Sequence, residues 1–160
     1  MNSPRAARGF TLIEIMVVMV ILGITMALVS VNFSNDDSKA LNEEAKRLAA
    51  LLEHAQLQVL LTGVPIAWSA EKGKYQFWQR GKNGKWDEPS SDDILRARAF
   101  SIEIEWGENR IAGNPIKPED RLIFLAGGLN LPFELKLKYR DRQLRILGTP
   151  TGRVSVDEKA

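Results

Sequence analysis

The chain has 160 residues, one histidine and no cysteine, a length that fits one domain with an appendage and excludes two large domains. Without cysteine there is no disulfide scaffold, thiolate nucleophile, iron–sulfur cluster or thiolate zinc site, and a single histidine makes no His-rich metal centre. Of the 22 basic and 20 acidic residues, all but Arg5, Arg8 and Glu14 lie beyond Phe33, where they nearly cancel; no global basic field for nucleic acid remains.

The amino-terminal stretch MNSPRAARG carries two arginines and no acid. From Ile15 to Val31 there are seventeen residues without a charge, and adding Phe10–Ile13 and Phe33 extends the mainly apolar stretch to 24 positions. As a helix this is roughly 36 Å, enough to cross a hydrocarbon core of about 30 Å. The basic end then stays cytoplasmic and everything after Phe33 is exported.

Three readings compete for this segment. A secretory signal peptide needs a small-x-small cleavage site, for which Thr25-Met26-Ala27 is a weak match. A plain signal anchor is the second reading, and neither explains the carboxylate at Glu14, which costs about 2.5–3.5 kcal/mol at mid-bilayer and less near the edge. The third reading uses it. A cut between Gly9 and Phe10 creates an amino group four residues away, about 6 Å of helix rise. In a stack of identical helices that cation and the Glu14 carboxylate can pair from one chain to the next, so the penalty becomes a register signal.

The run Arg8-Gly9-Phe10-Thr11-Leu12-Ile13-Glu14 followed by an apolar stretch resembles the class III signal of type IV pilins and type II secretion pseudopilins. That resemblance implies cleavage after Gly9 by a prepilin peptidase, N-methylation of Phe10 by the same enzyme, and a need for Glu14 in filament entry.

Past Phe33, Ser34-Asn35-Asp36-Asp37-Ser38 either caps a new helix or decorates a continuing one. Leu41, Ala45, Leu48, Leu52, Ala55 and Val59 recur at steps of four and three, one stripe of an amphipathic helix, and Asn42, Glu43, Lys46, Arg47, Glu53 and Gln56 are expected on its polar surface. Gly63 and Pro65 end it. From Val64 the period shortens, and strands are expected at Ile66–Ser69, Tyr75–Gln79, Ile102–Trp106, Arg121–Leu125, Phe133–Tyr139, Gln143–Leu147 and Gly152–Val156. Ser91–Arg98 is either a short helix or an irregular link. The sum is an α+β domain, a mostly antiparallel sheet or two-sheet β-sandwich packed on the helix.

Glu44-Ala45-Lys46-Arg47-Leu48 with Ala55 and Gly63, Gly73-x-Tyr75-x-Phe77, Trp86 followed by Leu95-Arg96, and the closing Gly148-x-Pro150-x-Gly152-Arg153-Val154 make most of the chain similar to the H-type minor pseudopilins of the type II secretion pathway. Major pseudopilins bind calcium through clustered acids near the C-terminus, and the few acids after Asp120 here make no such cluster. The resemblance implies a pilin-like fold. It divides the chain into a leader at 1–9, a transmembrane and filament-core half-helix at 10–33, an amphipathic half at 34–63 and a periplasmic β-rich domain at 64–160. It implies a non-catalytic subunit of the inner membrane and then of the pseudopilus tip, supporting protein export across the outer membrane. Its partners would be prepilin peptidase, the major pseudopilin, other minor pseudopilins of the I, J and K types, the inner-membrane assembly platform and the membrane itself. No metal or cofactor is expected. The alternative is a minor type IV pilin serving pilus assembly or DNA uptake.

Other residues invite function and have plainer readings. His54 stands without a Cys, Asp or second His as partner and reads as core edge or surface. Asp87-Glu88 and Ser90-Ser91-Asp92-Asp93 lack EF-hand spacing and read as a solvated turn. Trp68, Trp78, Trp86 and Trp106 read as core rather than a stacking platform. Gly127-Gly128 and Gly148-Thr149-Pro150-Thr151-Gly152 read as turns rather than phosphate loops. Lys136, Lys138, Arg140 and Arg142, with Arg145 nearby, make at most a modest basic stripe on a sheet face, against which stand the neutral balance and the tail Asp157-Glu158.

Overall fold

The computed structural model describes residues 11–71, 73–89, 93–127 and 130–157, with the side chains of 27–35 left out. The chain divides into two units, Met1–Asp36 and Asp37–Ala160. Helix α1 covers Leu12–Thr62. Thr11 starts it, its Oγ1 accepting the Glu14 N–H at 3.3 Å, as an N-cap does. Gly63 ends it at φ +71°, its N–H bonding the Val59 carbonyl at 2.9 Å; this left-handed position favours glycine. Among the described residues no helix is long and apolar enough to cross a membrane, the described apolar side chains of the first unit running from Leu12 to Met26.

In the second unit the expected stripe is the buried face of the helix: Leu41, Ala45, Leu48, Leu52, Ala55 and Val59 are all in the core. Eleven strands follow among the described residues. Strands β1 (Ile66–Glu71), β2 (Lys74–Arg80), β3 (Trp86–Asp87), β4 (Arg98–Ala99) and β8 (Leu122–Phe124) form one sheet in the order β3-β2-β1-β8, with β4 also on β2. Strands β5 (Glu105–Trp106), β6 (Asn109–Ile111), β7 (Asn114–Ile116), β9 (Phe133–Tyr139), β10 (Arg142–Gly148) and β11 (Val154–Asp157) form a second, ordered β11-β10-β9-β6-β7, with β5 also on β9. Every pairing is antiparallel. The inward residues of both sheets, Ile66, Trp68, Tyr75, Phe77, Leu135, Leu137 and Ile146 among them, join the helical stripe in one hydrophobic cluster, the α+β arrangement expected.

The strand expectations need correction: the short strands β3 and β4 were not expected, and two larger departures concern the second sheet. Ile102–Trp106 is a strand only at Glu105–Trp106, and the hairpin β6–β7 was not expected at all. Both lie beside a bulge opposite β9, where three residues separate Trp106 from Arg110 and only two separate Leu137 from Glu134. Trp106 pairs with Leu137 and Arg110 with Glu134; between them the Gly107 N–H bonds the Lys136 carbonyl at 2.8 Å, and the fully buried Asn109 accepts the Lys136 N–H on its Oδ1 at 2.9 Å. A side-chain amide thus replaces a ladder partner, which hydrophobic period cannot forecast. The β6–β7 turn is Ala112-Gly113, both at positive φ, and Ala is not a residue that announces such a turn.

The described part of 91–98 is an irregular link that sinks Leu95 into the core. The tryptophans divide. Trp68 is fully buried and Trp106 packs on it edge-on at 5.6 Å, whereas Trp78 and Trp86 stand half-buried outside the core cluster. Trp78 alternates with the inward Phe77, which sends it to the outer face of its sheet.

Candidate assembly site

The site residues expected from sequence are Gly9, Phe10 and Glu14. Gly9 and Phe10 lie outside the described residues. Glu14 lies in the first turn of α1, where the partial positive charge of unpaired backbone N–H groups favours an acid. Its side chain is exposed, and among the described residues no cation pairs with it. Around it every described face of the helix is apolar and open: Leu12, Ile13, Met16, Met19, Val20 and Ile24 are all exposed. The Thr25 hydroxyl is satisfied internally, donating to the Ile21 and Leu22 carbonyls at 2.9 and 3.0 Å. A Cβ on Gly23 would meet nothing within 4 Å. This half-helix therefore supplies an apolar surface and a carboxylate with no ion-pair partner among the described residues.

The second half of α1 treats its acids in the opposite way. Glu44, 4% exposed, accepts the Ser101 hydroxyl at 2.5 Å and the Ser101 N–H at 3.2 Å, and pairs with Arg47 at 2.6 Å. Arg47 also donates to the Ala99 carbonyl at 3.3 Å, so one carboxylate and its neighbour bind the helix to β4 and the segment after it. Beside them, burial pushes the phenol of Tyr75 above its ordinary value of 10.0, the Arg47 guanidinium opposing it.

One residue expected on the polar surface does otherwise, and a second, Glu53, is exposed as expected yet holds a strand. Gln56 is buried, accepting the Asn130 amide on Oε1 at 3.0 Å while its own amide reaches the Leu52 carbonyl. Glu53 accepts the Val154 N–H at 2.8 Å and so closes the edge of β11. Both lie on the flanks of the stripe, where a sheet end and a returning loop supply partners that periodicity alone does not show. His54 is half-buried at the flank of the stripe; Ser90–Asp92 and Gly128 lie outside the described residues.

The basic stripe is largely neutralised. Arg140 holds Asp37 through both carboxylate oxygens at 2.8 and 2.9 Å, Arg145 pairs with Asp157 at 2.5 Å, and Lys136 and Arg145 both approach Glu134 at 3.8 Å. The Asp37 contact holds the Arg140 guanidinium above its ordinary value. Cross-strand register places Lys136 opposite Arg145 and Arg145 opposite Asp157, so acids interrupt the row that a phosphate backbone would need.

The family model of the prokaryotic N-terminal methylation motif matches residues 4–30, the stretch containing Gly9, Phe10 and Glu14. The type II secretion system protein H of Pseudomonas aeruginosa is 30% identical over 161 residues, covering 89% of this chain and 90% of its own. Among solved structures, the minor pseudopilin EPSH from the type II secretion system of Vibrio cholerae superposes with a TM-score of 0.60 at 15% identity, over 74% of this chain and 93% of that one. The type IV minor pilin FimU of Pseudomonas aeruginosa superposes at 0.53 with 16% identity, over 75% of this chain and 90% of that one. The fold is thus common to pseudopilins and type IV pilins and does not separate them. Sequence does: with a near full-length relative at this identity, the chain belongs to the type II secretion system protein H family, the H-type minor pseudopilins.

Proposed function

We propose that this chain is made as a precursor, cut after Gly9 and methylated on Phe10 by prepilin peptidase. The apolar segment 10–33 then holds it in the inner membrane with its domain in the periplasm, until it is drawn into the pseudopilus beside major and other minor pseudopilins. Its place is the tip, where it helps to start or cap the filament; the assembly platform at the inner membrane supplies the site of entry. Its role is structural rather than catalytic.

One observation carries the reading: Glu14 sits in the first turn of a half-helix whose described faces are all apolar, with no cation of its own chain beside it among the described residues. A carboxylate in hydrocarbon is tolerated when a counter-charge arrives with assembly, and the amino group freed on Phe10 is that charge. Two measurements test it. The intact mass of membrane-extracted protein should lack residues 1–9 and carry one added methyl group. Glu14→Leu should still be cleaved but be absent from sheared pseudopili; undiminished incorporation overturns the pairing role.

A further inference from the structure

The outer face of the β3-β2-β1-β8 sheet carries an arrangement that neither the core nor the assembly helix uses. Trp78 on β2 and Trp86 on β3 stand half-buried there. The Arg121 guanidinium lies 4.7 Å from the centre of the Trp78 ring and 5.7 Å from that of Trp86, and Arg80 lies 5.4 Å from Trp86. Ala67, opposite both Trp78 and Ile123 in register, is fully buried yet lies outside the core cluster, so this outer layer covers it. The Trp78 indole is fixed further by donating to Ser69 Oγ at 2.9 Å.

Both arginines are exposed, and no carboxylate among the described residues pairs with either. Exposed Lys82 and Lys85 add charge on the β2–β3 turn; of the nearby acids, Glu88 is held by the Gln76 amide at 2.5 Å and Asp87 lies by Gly81. Stacking on indole holds a guanidinium flat and spares its N–H fork, which matches a carboxylate with two parallel hydrogen bonds. Fixed Trp and Arg side chains are also what binding hot spots are made of, because little side-chain freedom is left to lose. A nucleic-acid platform needs open aromatic faces for bases, and here guanidinium groups lie over both rings.

We propose that this face, centred on Arg121, Trp78 and Trp86, binds a carboxylate-rich segment of a neighbouring polypeptide in the secretion assembly. The neighbour rests on the subunit reading above; the surface chemistry does not. The test uses the full processed chain in detergent micelles and an acetylated ten-residue peptide of alternating Glu and Ala, followed by tryptophan fluorescence. Saturable binding is expected at 50 mM salt, at least tenfold weaker at 300 mM. Arg121→Gln should weaken it at least tenfold. Arg121→Lys, which keeps the charge and loses the fork, should weaken it at least threefold, and Arg153→Gln, on another edge, should change nothing. Absence of saturable binding, indifference to Arg121→Gln, or equally tight binding of a ten-residue oligothymidylate would each overturn the proposal. The intact mass of the same preparation reports leader removal, so failure of the subunit reading is seen separately.

Discussion

Replacing Glu44 by Ala tests whether a buried acid, rather than the apolar stripe alone, fixes α1 on the domain. The carboxylate accepts two Ser101 donors, at 2.5 and 3.2 Å, and the Arg47 guanidinium at 2.6 Å. Ser101 is exposed and its donors can turn to water, so each loses only the net worth of a hydrogen bond, about 0.5–1.5 kcal/mol. Taking about 1 kcal/mol for each Ser101 donor gives about 2 kcal/mol. Arg47 is 40% exposed and regains water, so its share is about 1 kcal/mol at most. The total of about 3 kcal/mol is a large part of the roughly 5–15 kcal/mol that holds a domain of this size. At about 3 °C per kcal/mol the midpoint should fall by roughly 9 °C. Thermal unfolding of the full chain in micelles, read from the fully buried Trp68, measures it. Glu44→Gln keeps an acceptor for Ser101 and should lose less than half as much. A double-mutant cycle with Ser101→Ala should be non-additive by about 1 kcal/mol or more. A fall below about 3 °C for Glu44→Ala, or additivity in the cycle, would refute the reasoning.

Gly148→Ala places a Cβ 2.0–2.4 Å from three carbons of the Phe133 ring, which is nearly fully buried and packs on Phe124. The ring must leave its place, so the loss belongs at the upper end of overpacking, about 3 kcal/mol. Gly127→Ala, which meets nothing within 4 Å, should stay within about 0.5 kcal/mol in the same melts. Burial raises the Tyr75 phenol above 10.0, so above that pH the unfolded chain binds fewer protons than the folded one, and stability drops as pH rises toward the folded value. Denaturant midpoints at pH 8 to 11.5 should fall less steeply for Tyr75→Phe; equal slopes would show that the buried phenol makes no difference.

Much of the domain was legible because its cause is periodicity. The stripe from Leu41 to Val59 and the strand Phe133–Tyr139 follow from one-sided burial, and a sequence displays that directly. What stayed hidden depends on polar groups that solve local problems. Asn109 bridging a bulge, Gln56 meeting Asn130 and Glu53 closing the edge of β11 carry no period. Each is polar by composition; Asn109 and Gln56 are buried under a distant loop or strand, and Glu53 stays exposed while its carboxylate reaches a strand end. Trp78 and Trp86 were misjudged for a related reason: aromatic residues on strands usually face inward, and here the inward places of β2 belong to Tyr75 and Phe77. The assembly site reads differently again. Glu14 was visible as an anomaly, a charge inside an apolar run, and three-dimensional placement adds that its own chain offers it nothing among the described residues.

Three of the glutamates of α1, at positions 14, 44 and 53, make the division of labour concrete. Glu44 and Glu53 are answered within the chain, by Ser101 and Arg47 in one case and by the Val154 backbone in the other; they settle how the helix meets its own sheets. An acid whose partners come from the same chain stabilises the folded subunit at any concentration. An acid without such partners, set in an apolar surface, stabilises only a state in which another molecule supplies the cation, and it penalises any packing that slides the helix out of register. Removing Glu44 should therefore lower the stability of the isolated chain, whereas removing Glu14 should leave that stability alone and act only where helices meet. The two substitutions separate folding from assembly on a single helix.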